Sequence, residues 1–217
     1  MNNIQKLTHD LCAALMELPV DEQIDALNGI RRELHQAGPF SAEPVDLVLW
    51  VKSQRVVAND YNPNKVAPPE MTLLRRSVTE DGYTQPIVTC PEDGAHTVVD
   101  GFHRREIGTT VTAIASRLHG YLPVTAIRDE NGSRSGRIAS TIRHNRARGT
   151  HETGLMVNII GELVSSGMSD AWIMKSIGMD ADELLRLKQI SGLAALFRDK
   201  EFSQAWAKDD EDAARYE

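Results

Sequence analysis

The sequence predicts an α+β chain: a small mixed α/β unit preceded by a helical hairpin and followed by an all-helical half. Three observations carry this reading. Apolar residues recur at three- to four-residue spacing over 4–36 and again beyond 132, as amphipathic helices require. Between them, residues 45–132 alternate short apolar runs with Gly, Pro, Asn and Asp clusters, the pattern of short strands and turns. Gly38-Pro39-Phe40-Ser41-Ala42-Glu43-Pro44 reads as a linker after the first segment, and Asn131-Gly132 opens the last. The expected divisions are therefore a hairpin over 1–37, a mixed domain over 45–132, a basic helix with a helix-turn-helix-like domain over 133–192, and a helical tail over 193–217.

In the hairpin, Ile4, Leu7, Leu11, Ala14, Leu15 and Leu18 form one stripe that Pro19 breaks, and Ile24, Leu27, Ile30 and Leu34 form the next. Asp21 and Glu22 sit in the first turn of the second helix, where the dipole favours anions. Such a hairpin serves packing or oligomerisation more often than chemistry. Asp46–Val51 then reads as a strand and Val56-Val57 as a shorter one. Asn59 to Asn64 is turn chemistry, and Pro68-Pro69-Glu70 starts a helix through Val78 that Asp81-Gly82 ends. Gln85–Cys90 and His96–Val99 are strands joined at Glu92-Asp93-Gly94. Gly101 turns into a helix through Ile107, and Leu122–Ile127 is the last strand. Helices follow over 134–148, about 152–166, 169–177 and 181–190, and Asp209-Asp210-Glu211-Asp212 closes the chain as an acidic tail.

Composition narrows the function. With 217 residues, 41% hydrophobic and 25% charged, the chain can build a core without staples. Cys12 and Cys90 have no metal or redox spacing, and they read as separate thiols in a reducing cytoplasm. No apolar run approaches the ~20 residues of a membrane span, so a soluble cytoplasmic protein is expected. A formal net charge of −7 means that any nucleic-acid surface must be local.

Asp100-Gly101-Phe102-His103-Arg104 is the most informative stretch, because it joins a strand end to a helix start. That junction supplies free N–H groups and a positive dipole end. Gly101 permits close approach of a ligand, and His103 and Arg104 add donors, the arginine in a bidentate fork. Asp100 would repel phosphate unless it holds a metal ion or accepts a proton. A second concentration follows: Arg134, Arg137, Arg143, Arg146 and Arg148 lie between Asn131 and His151 with no acid among them. Thr141, Asn145 and Arg148 share one helix face. A solvated basic face would also account for this, but arginines without local partners in an acidic chain point to an anion.

Three boxes then resemble a family. Asp81-Gly82-Tyr83-Thr84-Gln85-Pro86-Ile87-Val88, Val99-Asp100-Gly101-Phe102-His103-Arg104 and Asn145-Arg146-Ala147-Arg148 are similar, in order and spacing, to the conserved boxes of the ParB/sulfiredoxin superfamily. The likeness to its IbrB-like branch of bacterial and phage regulators runs from Asn59 through Trp206, with Ser140–Gly149 its most specific stretch. The resemblance implies a base pocket at Gly82, Gln85 and Pro86, and phosphates on Gly101, His103 and Arg104. It also implies phosphate or Mg²⁺ contacts from Asn145 and Arg148, with ATP or CTP as the nucleotide. Phe102 stands where sulfiredoxins carry a reactive cysteine, so sulfinic acid reduction is excluded. Phe102-His103-Arg104 replaces the Glu-Arg-Arg of partition-type ParB proteins, and His144 replaces a glutamate, which separates the chain from CTP hydrolysis in the ParB manner. The Asp-Gly-x-His-Arg form is closer to the free-serine kinase relatives, in which the aspartate is catalytic. This makes Asp100 a candidate base or metal ligand.

Met168–Asp180 scans as the first two-thirds of a helix-turn-helix, with Ser169 capping and Gly178 turning. The helix after it should lead with base or phosphate contacts, yet it leads with Asp180, Asp182 and Glu183; Arg186, Lys188 and Gln189 follow as the candidate DNA-binding residues. Trp172, Trp206, Phe197 and Phe202 read as core residues rather than base-stacking platforms. The expected function is a nucleotide-controlled, homodimeric regulator acting with DNA or a protein partner. The alternatives are a Mg²⁺-dependent ATPase or small-molecule kinase using Asp100, and a DNA-binding regulator with a vestigial pocket.

Overall fold

The computed structural model describes residues 2–60, 68–128, 133–146 and 153–197. The chain opens with α1 (Asn3–Met16), started by a capping box in which Asn2 and Gln5 bond each other's backbone, and turns at Pro19 into α2 (Val20–Ala37). A five-stranded sheet follows: β1 (Leu49–Lys52), β2 (Val56–Val57), β3 (Ile87–Glu92), β4 (Ala95–Asp100) and β5 (Tyr121–Ala126). Its order is β1-β5-β3-β4-β2, with β1/β5 and β3/β4 antiparallel and β5/β3 and β4/β2 parallel. The helices α3 (Pro68–Glu80), α4 (Phe102–Thr110) and α5 (Thr112–Arg117) pack through a small apolar core of Val78, Ile107 and Ile114. The sheet's own core is Val56, Ile87, Val98, Leu122 and Val124.

The β3–β4 hairpin has the tightest local cause. Asp93 and Gly94 both adopt positive φ, 47° and 77°, as a two-residue turn of this hand requires. At its other end Val88 opposes Asp100 while Thr89 opposes Val98, so Val99 is an extra residue. This bulge lies one residue before Asp100 and redirects the strand end there. The exposed edge of β1 is covered by α2. The Asn28 amide donates to Trp50 O at 2.7 Å and accepts from Trp50 N at 3.0 Å, which satisfies edge backbone that would otherwise invite pairing.

The second half is helical: α6 (Arg134–Arg146), α7 (Thr153–Ser165), α8 (Asp170–Ile177) and α9 (Ala181–Phe197). Ile138, Ile142, Ile160, Leu163, Ile173, Ile177, Leu184 and Leu187 build its core, against which Trp172 packs half-buried. α6 also packs on β4, joining the two halves. Ser169 caps α8 by accepting from Trp172 N, and Gly178 ends it at φ 75°. Among the described residues, no helix is long and apolar enough to cross a membrane.

Four local expectations are corrected. The first strand begins at Leu49, because Pro44–Asp46 form a 3-10 turn. A separate helix, α5, follows α4, divided from it by the extended Val111. The last described helix runs to Phe197 rather than 190, since Gly192 alone does not break it. Two arginines of α6 do have acidic partners, drawn from distant segments. Arg134 bonds Asp60 and Glu162, and Arg137 pairs with Glu92 at 3.2 Å. Arg143 donates to Ser176 O at the end of α8. The Trp206, Phe202 and Asp209–Asp212 expectations lie outside the described residues, as does the side chain of Phe197.

Gly108 is where α4 meets the sheet. A Cβ there would collide with the Tyr83 hydroxyl and with Leu122 Cδ2. Gly108→Ala is therefore expected to cost about 1–3 kcal/mol as overpacking, read from the midpoint of urea unfolding. An unchanged midpoint would contradict the close helix–sheet contact.

Candidate functional site

The site forms where β4 ends and α4 begins. Gly101 sits at φ 91°, a conformation other residues rarely adopt, and a Cβ there would press on the Arg104 guanidinium at 3.1 Å. Glycine thus allows both the turn and the arginine lying over it. No side chain caps α4, so the N–H groups of its first turn have no capping side-chain acceptor. Tyr83 donates its hydroxyl to Arg104 O at 2.5 Å and fixes that turn from the side. Burial pushes the Tyr83 phenol up to about 12, against a smaller opposing effect of the Arg104 charge, so it remains a donor across the working pH range.

Arg104 is largely buried and holds two partners. Its Nη1 donates to Gln85 Oε1 at 3.0 Å, and its Nη2 lies 3.3 Å from Asp100 Oδ2. Asp100 is itself only 8% exposed, so this arginine neutralises a buried carboxylate. His103 differs from its neighbours. Its ring lies edge-on to Phe102, its Nε2 is buried with no hydrogen-bond partner, and its Nδ1 has only a long 3.5 Å approach to the Glu106 carboxylate. A half-buried imidazole with its ring nitrogens left this way at an uncapped helix start is the kind of group an incoming acceptor satisfies.

Beside this junction lies a cavity of about 350 Å³, within the range of small-molecule sites, ~300–1,000 Å³. Its walls are Pro86, Val88, Val45 and Ile127, and its polar groups include Glu43, Gln85, Asp100, Arg104 and His144. The wall from Glu43 to Val45 was not foreseen from the sequence, where it reads as a linker. It is strapped down by the Thr125 hydroxyl on Pro44 O, by Arg128 on Ala42 O and Glu43, and by His35 Nδ1 on Asp46 Oδ2 at 2.6 Å.

The fold thus gathers Gln85, Pro86, Asp100 and Arg104 around one cavity, with Gly101 and His103 at the adjoining helix start. Gly82, at φ 79°, makes the turn before β3 and does not line the cavity. The backbone of Asn145 ends α6 near His144, its side chain lies outside the described residues, and so does Arg148. Among the described residues, no group of three or more His, Cys, Asp or Glu could hold a metal by itself.

In the helical half, Arg186 and Gln189 are exposed on α9, whereas Lys188 is held by both Asp170 oxygens at 2.9 and 3.0 Å. Asp180 has a structural reason to precede α9: its carboxylate accepts from Glu183 N at 2.7 Å and caps the helix.

Comparison with known proteins follows the same division. Residues 151–199 match the family model of the IbrB-like C-terminal HTH domain. Over 203 residues the chain is 54% identical to Uncharacterized protein YbdM of Escherichia coli (strain K12), which covers 93% of this chain and 96% of that protein. The fold is also similar to two structures of C-terminally truncated chromosome-partitioning protein ParB from Caulobacter crescentus. The one complexed with CTP-gamma-S is 14% identical, covers 70% of this chain and 86% of its own, and has a TM-score of 0.37. The one complexed to the centromeric parS site is 13% identical, covers 65% and 70%, and has a TM-score of 0.41.

Proposed function

This chain belongs to one family with YbdM of Escherichia coli and is IbrB-like, and from that premise we propose a regulator that binds a nucleoside phosphate beside α4 and contacts DNA through its HTH domain. The observation that carries the reading is the uncapped start of α4, with buried, unsatisfied His103 Nε2, opening beside an apolar-walled cavity. Phosphates would accept from the first-turn N–H groups, His103 and the Arg104 fork, and a base would lie between Pro86 and the Pro44-Val45 wall. The three sequence boxes support the same assignment, and they leave ATP and CTP both open.

Mg²⁺ fits this site as an ion carried on the phosphates, because it keeps several waters and needs few protein ligands. Asp100 would be the carboxylate nearest to it, and the resemblance of the third box assigns Asn145 a contact as well. Since Arg104 already neutralises Asp100, the aspartate's first role is to position that arginine, which favours a binding switch over a kinase-like base.

On the DNA side, Arg186 and Gln189 would make the contacts, while Asp170 holds Lys188 back. The test is fluorescence anisotropy with a short duplex across a salt series, with and without ATP or CTP and Mg²⁺. Affinity is expected to fall with salt, as phosphate contacts require, and to change ~10-fold or more with nucleotide. Equal affinity with and without nucleotide would leave a vestigial pocket, and no DNA binding would transfer the HTH face to a protein partner.

A further inference from the structure

The hairpin α1–α2 carries an apolar face that no other described element covers. A three-residue link joins α1 to α2, α2 is clasped to β1 through Asn28, and only Leu15 of α1 is buried. Ile4, Leu7 and Leu11 fall on one stripe of α1 and are 73%, 60% and 41% exposed, and Leu18, in the turn after α1, is 36% exposed. Leu34 of α2 is 67% exposed. These side chains leave several hundred square ångströms of apolar surface in water, the scale that marks an interaction site. With its polar flanks, such a face approaches the ~800 Å² that each side of a standard interface contributes.

We propose that this face is a homodimer interface, in which α1 packs antiparallel against α1 of a second copy about a twofold axis near Leu11. The hairpins then close into a four-helix bundle. Charge on α1 selects this occupant and this direction. The two flanks of the stripe differ: Gln5, Thr8, Cys12 and the buried Leu15 make an uncharged flank. Lys6, Asp10 and Glu17 make the other flank, and all three are exposed. In an antiparallel pair like flanks face each other in reverse order, so the Lys6 end of one helix lies alongside the Glu17 end of the other, and these two pairs outweigh the approach of Asp10 to its own copy beside the axis. The helix dipoles oppose as well. A parallel pair would align the dipoles and set like flank positions level. A membrane surface fits poorly, because interfacial helices carry Lys and Arg on their polar face, whereas this one carries a single lysine and two acids.

Sedimentation equilibrium of the full chain tests the proposal, with far-UV circular dichroism as the folding control. The wild-type chain is expected to sediment at twice the chain mass, and the double variant Leu7→Glu/Leu11→Glu to dissociate at least ~100-fold more readily while keeping α2 and the sheet. Lys6→Glu is expected to weaken the dimer ~5-fold, and Lys6→Glu with Glu17→Lys to restore it. A wild-type monomer at every concentration, a dimer indifferent to the double leucine variant, or a charge swap that fails to restore association would each overturn it. Binding of the chain to lipid vesicles in place of self-association would overturn it as well.

Discussion

Replacing Arg104 with alanine is expected to weaken nucleotide binding by ~100-fold or more, since two charge-assisted hydrogen bonds contribute roughly 1.5–3 kcal/mol each. The guanidinium lies between Gln85 and Asp100 on the cavity wall, so its loss removes the phosphate donor and also takes a cation from a buried carboxylate. The second effect costs stability, about 1–3 kcal/mol, which circular dichroism and urea unfolding would register separately. Arg104→Lys provides the control. It keeps a cation near Asp100 but loses the planar fork, so stability should largely return while affinity remains reduced. Titration calorimetry of both variants decides the matter, and unchanged affinity in Arg104→Ala would contradict the assignment.

The second large effect lies in the helical half. Leu163 is fully buried among Ile142, Ile160, Ile173 and Leu187 in a core separate from that of the sheet. Leu163→Ala is expected to destabilise the chain by about 2–5 kcal/mol, the range for a large-to-small change in a packed interior. Because α6 joins this core to β4, the loss should appear in the main cooperative transition on urea unfolding rather than as separate melting of the HTH domain. A cost below ~1 kcal/mol would mean that the core relaxes around the cavity.

The fold and the site were legible in the sequence to different depths. The HTH start was plain, because a capping serine and a turning glycine are local signals, and Ser169 and Gly178 act as such. The Asp93-Gly94 turn was plain for the same reason, as was the strand-to-helix junction at Gly101. What depends on distant segments was hidden. The partners of Arg134 and Arg137 are Asp60, Glu92 and Glu162, remote in sequence, so the apparent surplus of arginine in α6 was misleading. Asp180 reads in the sequence as an obstacle to DNA contact, whereas in the structure its carboxylate caps α9. The Glu43–Val45 wall read as a linker, because nothing local announces that Thr125, Arg128 and His35 hold it over a cavity. Gly108 likewise carries no sequence signal for its contact with Tyr83.

Thermal unfolding of the wild-type chain with Mg²⁺ and each of ATP, ADP, CTP and GTP tests the central claim most directly. A ligand at ~100 times its Kd adds about 2.7 kcal/mol to the folded state, several degrees for a chain of this size. The expected result is a stabilisation selective for one base and absent in Arg104→Ala. No stabilisation by any nucleotide, or an equal shift in Arg104→Ala, would contradict a nucleoside-phosphate site at the start of α4.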